Sequence, residues 1–198
     1  MGRWEPNARG RLAQAALTLY AEQGFEQTTA AEIARSAGLT ERTFFRHFAD
    51  KREVLFYGSD SVLDLLVQGV AGAPPAAGPI DAVSAALQAV GAVIQETPEP
   101  ARLRYAVVSV NQELRERELA KLAEFAAAMA AALRDRGVPE LAASLAAETG
   151  TAVYRVTFAR WIAGQAQPDL GDLPELLRES MAELGEVFTD RLLSFPKS

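Results

Sequence analysis

Between Thr40 and Lys51 the chain gathers the side chains best suited to holding a polyanion: Arg42, Arg46 and Lys51 carry positive charge, Thr40 and Thr43 carry hydroxyls, and His47 is the sequence's only histidine. A guanidinium offers paired donors that match guanine O6 and N7, which makes Arg42, near the start of its segment, the candidate for base contact. Arg46 suits the same duplex face or its backbone. Thr40 and Thr43 could meet a thymine methyl or a phosphate. Lys51 stands where a helix would begin, so its ammonium and the helix's positive end would both attract a phosphate. Thr28 and Thr29 lie at an earlier helix start, and with Thr29 committed to capping, Thr28 is expected to be the freer hydroxyl. The His47 ring can reach a phosphate, or it can cover the edge of a small core beside Phe48.

The elements that must position these groups are marked locally. Thr29 precedes Glu32 by three residues, a capping box in which each side chain satisfies a free backbone N–H. The helix it opens carries Ala30, Ile33, Ala34 and Ala37 on one face and stops at Gly38. Thr40 is a second N-cap, flanked by Leu39 and Phe44 as a hydrophobic staple. The helix after it buries Phe44 and Phe48 and turns Arg42, Thr43, Phe45 and Arg46 outward. Asp50 and Glu53 form a third box, predicted to open a helix from about Lys51 to Val70. Two short helices joined by a Gly-containing turn define a helix-turn-helix, whose second helix enters the major groove. An earlier helix, Arg9 to Gln23, stops at Gly24 and should brace the pair, with Phe25 closing the core.

Thr-Thr-x-x-Glu-Ile-Ala-x-x-Ala-Gly, followed by Phe-x-x-His-Phe and Lys-x-x-Val-Leu, resembles the DNA-binding domain of the tetracycline-repressor family of bacterial regulators, over roughly residues 9 to 57. The resemblance implies a phosphate contact from His47, and an all-α plan in which a variable helical domain binds ligand and dimerises. The family usually has Tyr where this chain has Phe45, which cannot donate a hydrogen bond to phosphate but can pack on the sugar-phosphate backbone. The Arg-Thr-Phe-Phe-Arg wording also looks like a subgroup associated with acyl-CoA-like ligands.

Composition narrows the alternatives. A chain of 198 residues with 49% apolar content can bury one sizeable core or two small ones. Absence of cysteine excludes disulfides and thiolate metal sites and fits a cytoplasmic protein. The first residues, MGRWEPNARGR, have no apolar segment of the secretory kind, and the Leu65–Ile80 run is broken by Pro74 and Pro75, so no membrane span is expected. The net charge of −6 is unevenly shared: residues 1–56 hold eight Lys/Arg against seven Asp/Glu, leaving twelve against nineteen for the rest. Arg42, Arg46, Lys51 and Arg52 form the expected basic patch. One histidine, no Gly-rich phosphate loop after a strand and scattered carboxylates give no catalytic constellation, no metal site and no cofactor. The Arg3-Trp4 arm could reach a minor groove.

Everything after Ile80 has helical periodicity, over Ile80–Glu96, Pro100–Glu113, Leu114–Arg136, Pro139–Gln165 and Leu173–Leu193, with a turn at Gln167-Pro168-Asp169. The expected division is 1–57, the helix-turn-helix domain, and 58–198, a helical ligand-binding and dimerisation domain. The fourth of these helices is apolar nearly all round, with Leu141, Leu145, Ala152, Val156 and Ala159 on one face and Tyr154, Phe158 and Trp161 on the other, the pattern of a helix covered on both sides. The last helix carries Leu173, Leu177, Met181, Leu184, Phe188 and Leu192. These two helices are the candidate homodimer interface, one four-helix bundle from two subunits. Candidate ligand residues are Phe125, Met129, Tyr154, Phe158 and Trp161, with Arg102 and Tyr105 at the mouth. Glu148 and Arg155, two turns apart, read as an internal or intersubunit ion pair, with an anionic ligand head group on the arginine as the alternative.

The expected function is a non-enzymatic, ligand-responsive transcriptional regulator, a repressor on a palindromic operator released by an apolar or amphipathic effector. Two alternatives stay open: a ligand-independent activator or co-regulator of the same fold, and a helical binding module or enzyme whose helix-turn-helix no longer reads DNA.

Overall fold

A computed structural model describes residues 7–164 and 171–192, with side chains to residue 187. The fold is all-α. In order it comprises α1 (Ala8–Gln23), α2 (Ala30–Ser36), α3 (Glu41–His47), a 3-10 turn (Glu53–Phe56), α4 (Ser59–Ala71), α5 (Pro79–Glu96), α6 (Pro98–Val110), α7 (Gln112–Asp135), α8 (Glu140–Ala163) and α9 (Leu173–Leu192). The Arg3-Trp4 arm, the Gln167–Asp169 turn and the Phe188 and Leu192 side chains lie outside the described residues.

The chain forms two compact units, one of Met1–Asp60 with Thr97–Ala120, the other of Ser61–Glu96 with Lys121–Ser198. The cut therefore differs from the expected 1–57 and 58–198. Residues 97–120 return to the first unit because Val107 and Val108 of α6 and Leu114 of α7 complete its core. The larger side chains of that core are otherwise Leu12 and Tyr20 of α1, then Phe25, Ile33, Phe44, Phe48, Val54, Leu55 and Phe56. Removing side chains of this size from water stabilises the unit by about 1.5–3 kcal/mol each, against the entropy of ordering the chain.

Helix ends follow the local signals. Gly38 (φ +67°) closes α2 with a Leu39 N–H to Ala34 oxygen bond of 2.8 Å and a Gly38 N–H to Arg35 oxygen bond of 3.0 Å, the paired pattern of a Schellman cap. Gly137 (φ +87°) closes α7 the same way, through Val138 to Leu133 at 3.1 Å and Gly137 to Arg134 at 2.8 Å. The continuous helix expected from Lys51 to Val70 does not form. The chain instead makes the short 3-10 turn, reaches Tyr57 in an extended conformation (ψ 130°), passes through Gly58 at φ +93° and restarts at Ser59, whose hydroxyl donates to the Phe56 oxygen at 2.7 Å. A left-handed glycine ends helical hydrogen bonding that the apolar pattern alone would have carried through. The Glu53–Ala71 stretch has the length and hydropathy of a membrane span by composition, yet Val54, Leu55, Phe56, Leu66 and Val70 are buried. Farther on, α6 begins two residues earlier than expected, with Pro98 at its first position.

In the second unit α5 packs on α8 and α9, which also pack on each other. Small residues bring the helices close. A Cβ on Gly150 would lie 2.2 Å from Val83 Cγ1, and one on Gly69 would lie 2.7 Å from Ala86 Cα. Arg136 ties the α4–α5 connection to the end of α7, donating to the Ala73 oxygen at 2.6 Å and the Pro74 oxygen at 2.8 Å. On α8, Ala143, Ala146, Ala147, Gly150, Phe158 and Trp161 are buried, whereas Leu141 (72% exposed), Leu145 (58%) and Val156 (63%) face outward. Among the described residues Glu148 and Arg155 make no ion pair with each other within the chain; seven residues of helix put their Cα atoms ~10 Å apart.

Candidate nucleic-acid interface

The helix-turn-helix is held by its caps. Thr29 Oγ1 accepts from the Glu32 N–H at 3.2 Å, while Glu32 Oε2 accepts from the Thr29 N–H and hydroxyl, both at 2.8 Å. These bonds hold the Glu32 carboxyl below the usual carboxylate range. Thr40 Oγ1 accepts from the Thr43 N–H at 3.2 Å, and the two threonine hydroxyls are 3.0 Å apart. Both hydroxyls are thus engaged within the first turn of α3.

Phe44 and Phe48 anchor α3 in the core, with ring centres 5.7 Å apart. The opposite side presents Arg42, Phe45 and Arg46 to solvent, with Thr43 and His47 half-buried at its edges. Phe45 is 53% exposed, large for an aromatic ring, and meets Phe44 edge-on at 5.3 Å. Arg42 has no hydrogen bond or ion pair among the described residues, leaving its whole guanidinium edge available. His47 Nε2 lies 3.5 Å from an Arg46 guanidinium nitrogen. Burial, then the charges of Arg46 and Arg9, push the imidazole below its ordinary pKa, so it is neutral at pH 7.

Thr28 and Lys51 take different places from those expected. Thr28 is buried, donates to the Gly24 oxygen at 2.8 Å and accepts from Gln23 Nε2 at 3.2 Å. Thr29 is the exposed member of the pair. Lys51 precedes a 3-10 turn rather than opening an α-helix, so no helix dipole assists it. Its ammonium turns inward to the oxygens of Phe25 (2.9 Å), Glu26 (3.3 Å) and Thr28 (3.1 Å), using all three N–H donors. Its own carbonyl accepts from the Tyr20 hydroxyl at 2.6 Å. Lys51 therefore pins the α1–α2 loop.

Arg52 is also committed. It binds the Asp50 carboxylate at 2.6 Å, which holds that carboxyl below its ordinary range, and it pairs with Glu113. Arg117 pairs with Glu53, and Arg104 pairs with Glu118 at 3.2 Å while donating to the Leu55 oxygen at 3.0 Å. The guanidiniums of Arg104 and Arg117 both lie over the Phe56 ring, at 5.1 and 5.9 Å. Of the expected basic patch, Arg42 and Arg46 keep free faces. Arg9, which periodicity alone left unmarked, joins them beside His47.

The second unit contains a small cavity of about 20 Å³ lined by Val62, Leu66, Leu87, Val90, Leu122, Phe125, Met129, Thr151 and Tyr154. Phe125, Met129 and Tyr154 are thus brought together. Phe158 stacks on Tyr154 at 5.6 Å and meets Trp161 at 5.8 Å along α8, outside that lining. Arg102, which pairs with Glu99, and Tyr105 belong to the other compact unit. Between α8 and α9 an open groove of about 490 Å³ is walled by Ala152, Val153, Val156, Leu184 and Val187, with Arg160 and Glu183 at its charged positions. Among the described residues no cluster of three His, Asp or Glu side chains could hold a metal.

A capped helix-turn-helix with a basic, aromatic outer row on its second helix defines a DNA-binding domain of the regulator class. Residues 12–57 match the family model described as bacterial regulatory proteins, tetR family, so the helix-turn-helix segment is similar to the DNA-binding domain of that family. The chain is 37% identical over 82 residues to the HTH-type transcriptional regulator TcmR of Streptomyces glaucescens, covering 41% of this chain and 36% of that protein. The aligned segment thus spans about a third of the length of the curated relatives it matches. The whole fold is similar to the fatty acid degradation regulator FadR from Bacillus halodurans (TM-score 0.62, 17% identity, 91% of this chain and 95% of that one). It is also similar to Thermus thermophilus FadR, a transcriptional repressor solved with lauroyl-CoA (TM-score 0.56, 22% identity, 88% and 91% covered).

Proposed function

We propose that the chain is a cytoplasmic, ligand-responsive transcriptional regulator: a dimeric repressor that binds a palindromic operator and is released by an apolar or amphipathic effector. The observation that carries this reading is the outer row of α3, where Arg42, Phe45 and Arg46 stand exposed on a helix anchored by Phe44 and Phe48. Exposed cations on a rigid helix suit base edges and phosphates. The uncovered face of Leu141, Leu145 and Val156, beside the α8–α9 groove, supports dimerisation through these helices. Two-fold symmetry would then set two recognition helices on half-sites about one helical turn (~34–36 Å) apart, or a multiple of it.

The effector would enter at the cavity bordered by Phe125, Met129 and Tyr154. At about 20 Å³ the cavity admits little more than a water, whereas ligand pockets run to ~300–1,000 Å³. Effector binding would therefore select an opened state of the second unit, and it releases DNA only if that state binds DNA more weakly. Displacement of a bound duplex by a panel of apolar and amphipathic compounds, lauroyl-CoA among them, tests this reading. Thr151→Leu, which fills the cavity, should abolish release while preserving DNA affinity. Failure of every compound to release DNA would count against the effector model.

A further inference from the structure

We propose that Arg9 is a phosphate-binding residue of the DNA interface, gripping the duplex backbone together with His47 and Arg46. This rests on the DNA-binding reading above and adds an element of α1 to a surface otherwise built from the helix-turn-helix.

Arg9 stands exposed on the first turn of α1, and its guanidinium lies 5.4 Å from the centre of the Phe48 ring and 5.7 Å from that of Tyr57. Aromatic faces steady a guanidinium without consuming its N–H donors. Arg9 has no hydrogen bond or ion pair among the described residues. Its backbone is fixed despite lying near the start of the chain. Asn7 adopts a left-handed conformation (φ 71°), and its side-chain oxygen accepts from the Gly10 N–H at 3.0 Å and from the Tyr57 hydroxyl at 3.4 Å. Residue 10 must be glycine for this arrangement, because a Cβ there would lie 2.4 Å from that same oxygen.

The charges around it point to an anion. Arg9 and Arg46 both act on His47 at the end of α3, three cationic or protonatable groups in one place. Two acidic groups that follow His47 in the chain are spent elsewhere, Asp50 on Arg52 and Glu53 on Arg117. Like charges left unpaired on a surface raise its affinity for a polyanion, and a phosphate among them would relieve their repulsion. The cluster borders the row formed by Arg42, Phe45 and Arg46, so a duplex lying along α3 would bring its backbone here.

The test is the salt dependence of DNA binding by the full chain, measured from 50 to 200 mM salt on two probes: a mixed-sequence duplex and the best duplex selected from a random-sequence pool. Each neutralised phosphate contributes a slope of about −0.9, so one contact per subunit of a dimer gives roughly tenfold over this range. Arg9→Gln should weaken binding to both probes alike and make it about tenfold less sensitive to salt, with thermal stability held near that of the parent. Arg9→Lys, which keeps the charge, should retain the parent slope. An unchanged slope in Arg9→Gln overturns the proposal, as does a loss confined to the selected duplex. Failure of the parent chain to bind either probe would instead remove the DNA-binding reading itself.

Discussion

The Lys51 ammonium lies 4.4 Å from the centre of the Phe25 ring and 2.9 Å from the Phe25 carbonyl oxygen, so one residue supplies it with both an aromatic face and an acceptor. With Glu26 and Thr28 accepting its other two protons, Lys51 closes the loop that delivers the chain into α2. A lysine held this way is a structural residue of the DNA-binding unit.

Lys51→Met should therefore lower stability. Hydrogen bonds to a charged group are worth ~1.5–3 kcal/mol each, but the site is half-exposed and water can replace part of the loss, so a net cost of about 1–3 kcal/mol is expected. The salt slope of DNA binding should stay at the parent value. Thermal unfolding together with a salt titration checks both. A slope reduced at unchanged stability would make Lys51 a phosphate contact instead.

Arg42→Ala should do the reverse. Arg42 is exposed and unpaired among the described residues, so stability should change by less than about 0.5 kcal/mol. Binding to the preferred duplex should fall by ~1–3 kcal/mol, with preference relaxed at one base step. Competition between single-base variants of that duplex reads the change, and uniform weakening across them would assign Arg42 to the backbone.

A phosphate contact from His47 should make DNA binding pH-dependent in a defined direction. Burial, Arg46 and Arg9 hold its free-state pKa below 6.5, and a bound phosphate would raise it. Binding then takes up a proton. Affinity should rise as pH falls through the pKa of the complex and level off below the lower pKa of the free protein. Well above the pKa of the complex both states carry neutral imidazole, and no dependence on His47 is expected there. His47→Gln should flatten the profile between the pKa of the free protein and that of the complex, as seen by fluorescence anisotropy; a profile left intact by that substitution would remove His47 from the interface.

How much of this was legible in the sequence depended on the range of the interaction. The Thr29–Glu32 box, the Thr40 cap and the glycine stops at Gly24, Gly38 and Gly137 involve residues within five positions of one another, and the sequence shows them directly. Phe44 and Phe48 follow from helical spacing. Lys51 was not legible, because nothing in the sequence says which carbonyls a distant loop turns toward an ammonium. The same holds for α6, whose Val107 and Val108 complete a core begun near residue 12. Thr28 is close to its partner Gly24, but the bond lies in an irregular loop, where no helical spacing announces it. The restart at Gly58 was missed because a single glycine in an apolar run also occurs inside helices; only its left-handed φ makes it a break. Arg9 was missed because its significance comes from Phe48 and Tyr57, far along the chain.

Gly150 tests the packing of the second unit. Gly150→Ala places a methyl 2.2 Å from Val83 Cγ1, and Val83 is β-branched and fully buried, so it has little freedom to yield. Overpacking of this kind costs ~1–3 kcal/mol. Val83→Ala should recover part of the loss in the double variant, a coupling that denaturant unfolding of the four proteins would reveal. Simple addition of the two single costs would mean that α5 and α8 approach less closely at this point.

The central claim, a dimer reading symmetric DNA through α3, is tested most directly by selecting duplexes from a random-sequence pool and weighing the complex by sedimentation. Enrichment of an inverted repeat is expected, with half-site centres one helical turn or a multiple of it apart, bound by two chains or an even number of them. A single unrepeated site bound by one chain, or no enriched sequence at all, would contradict it.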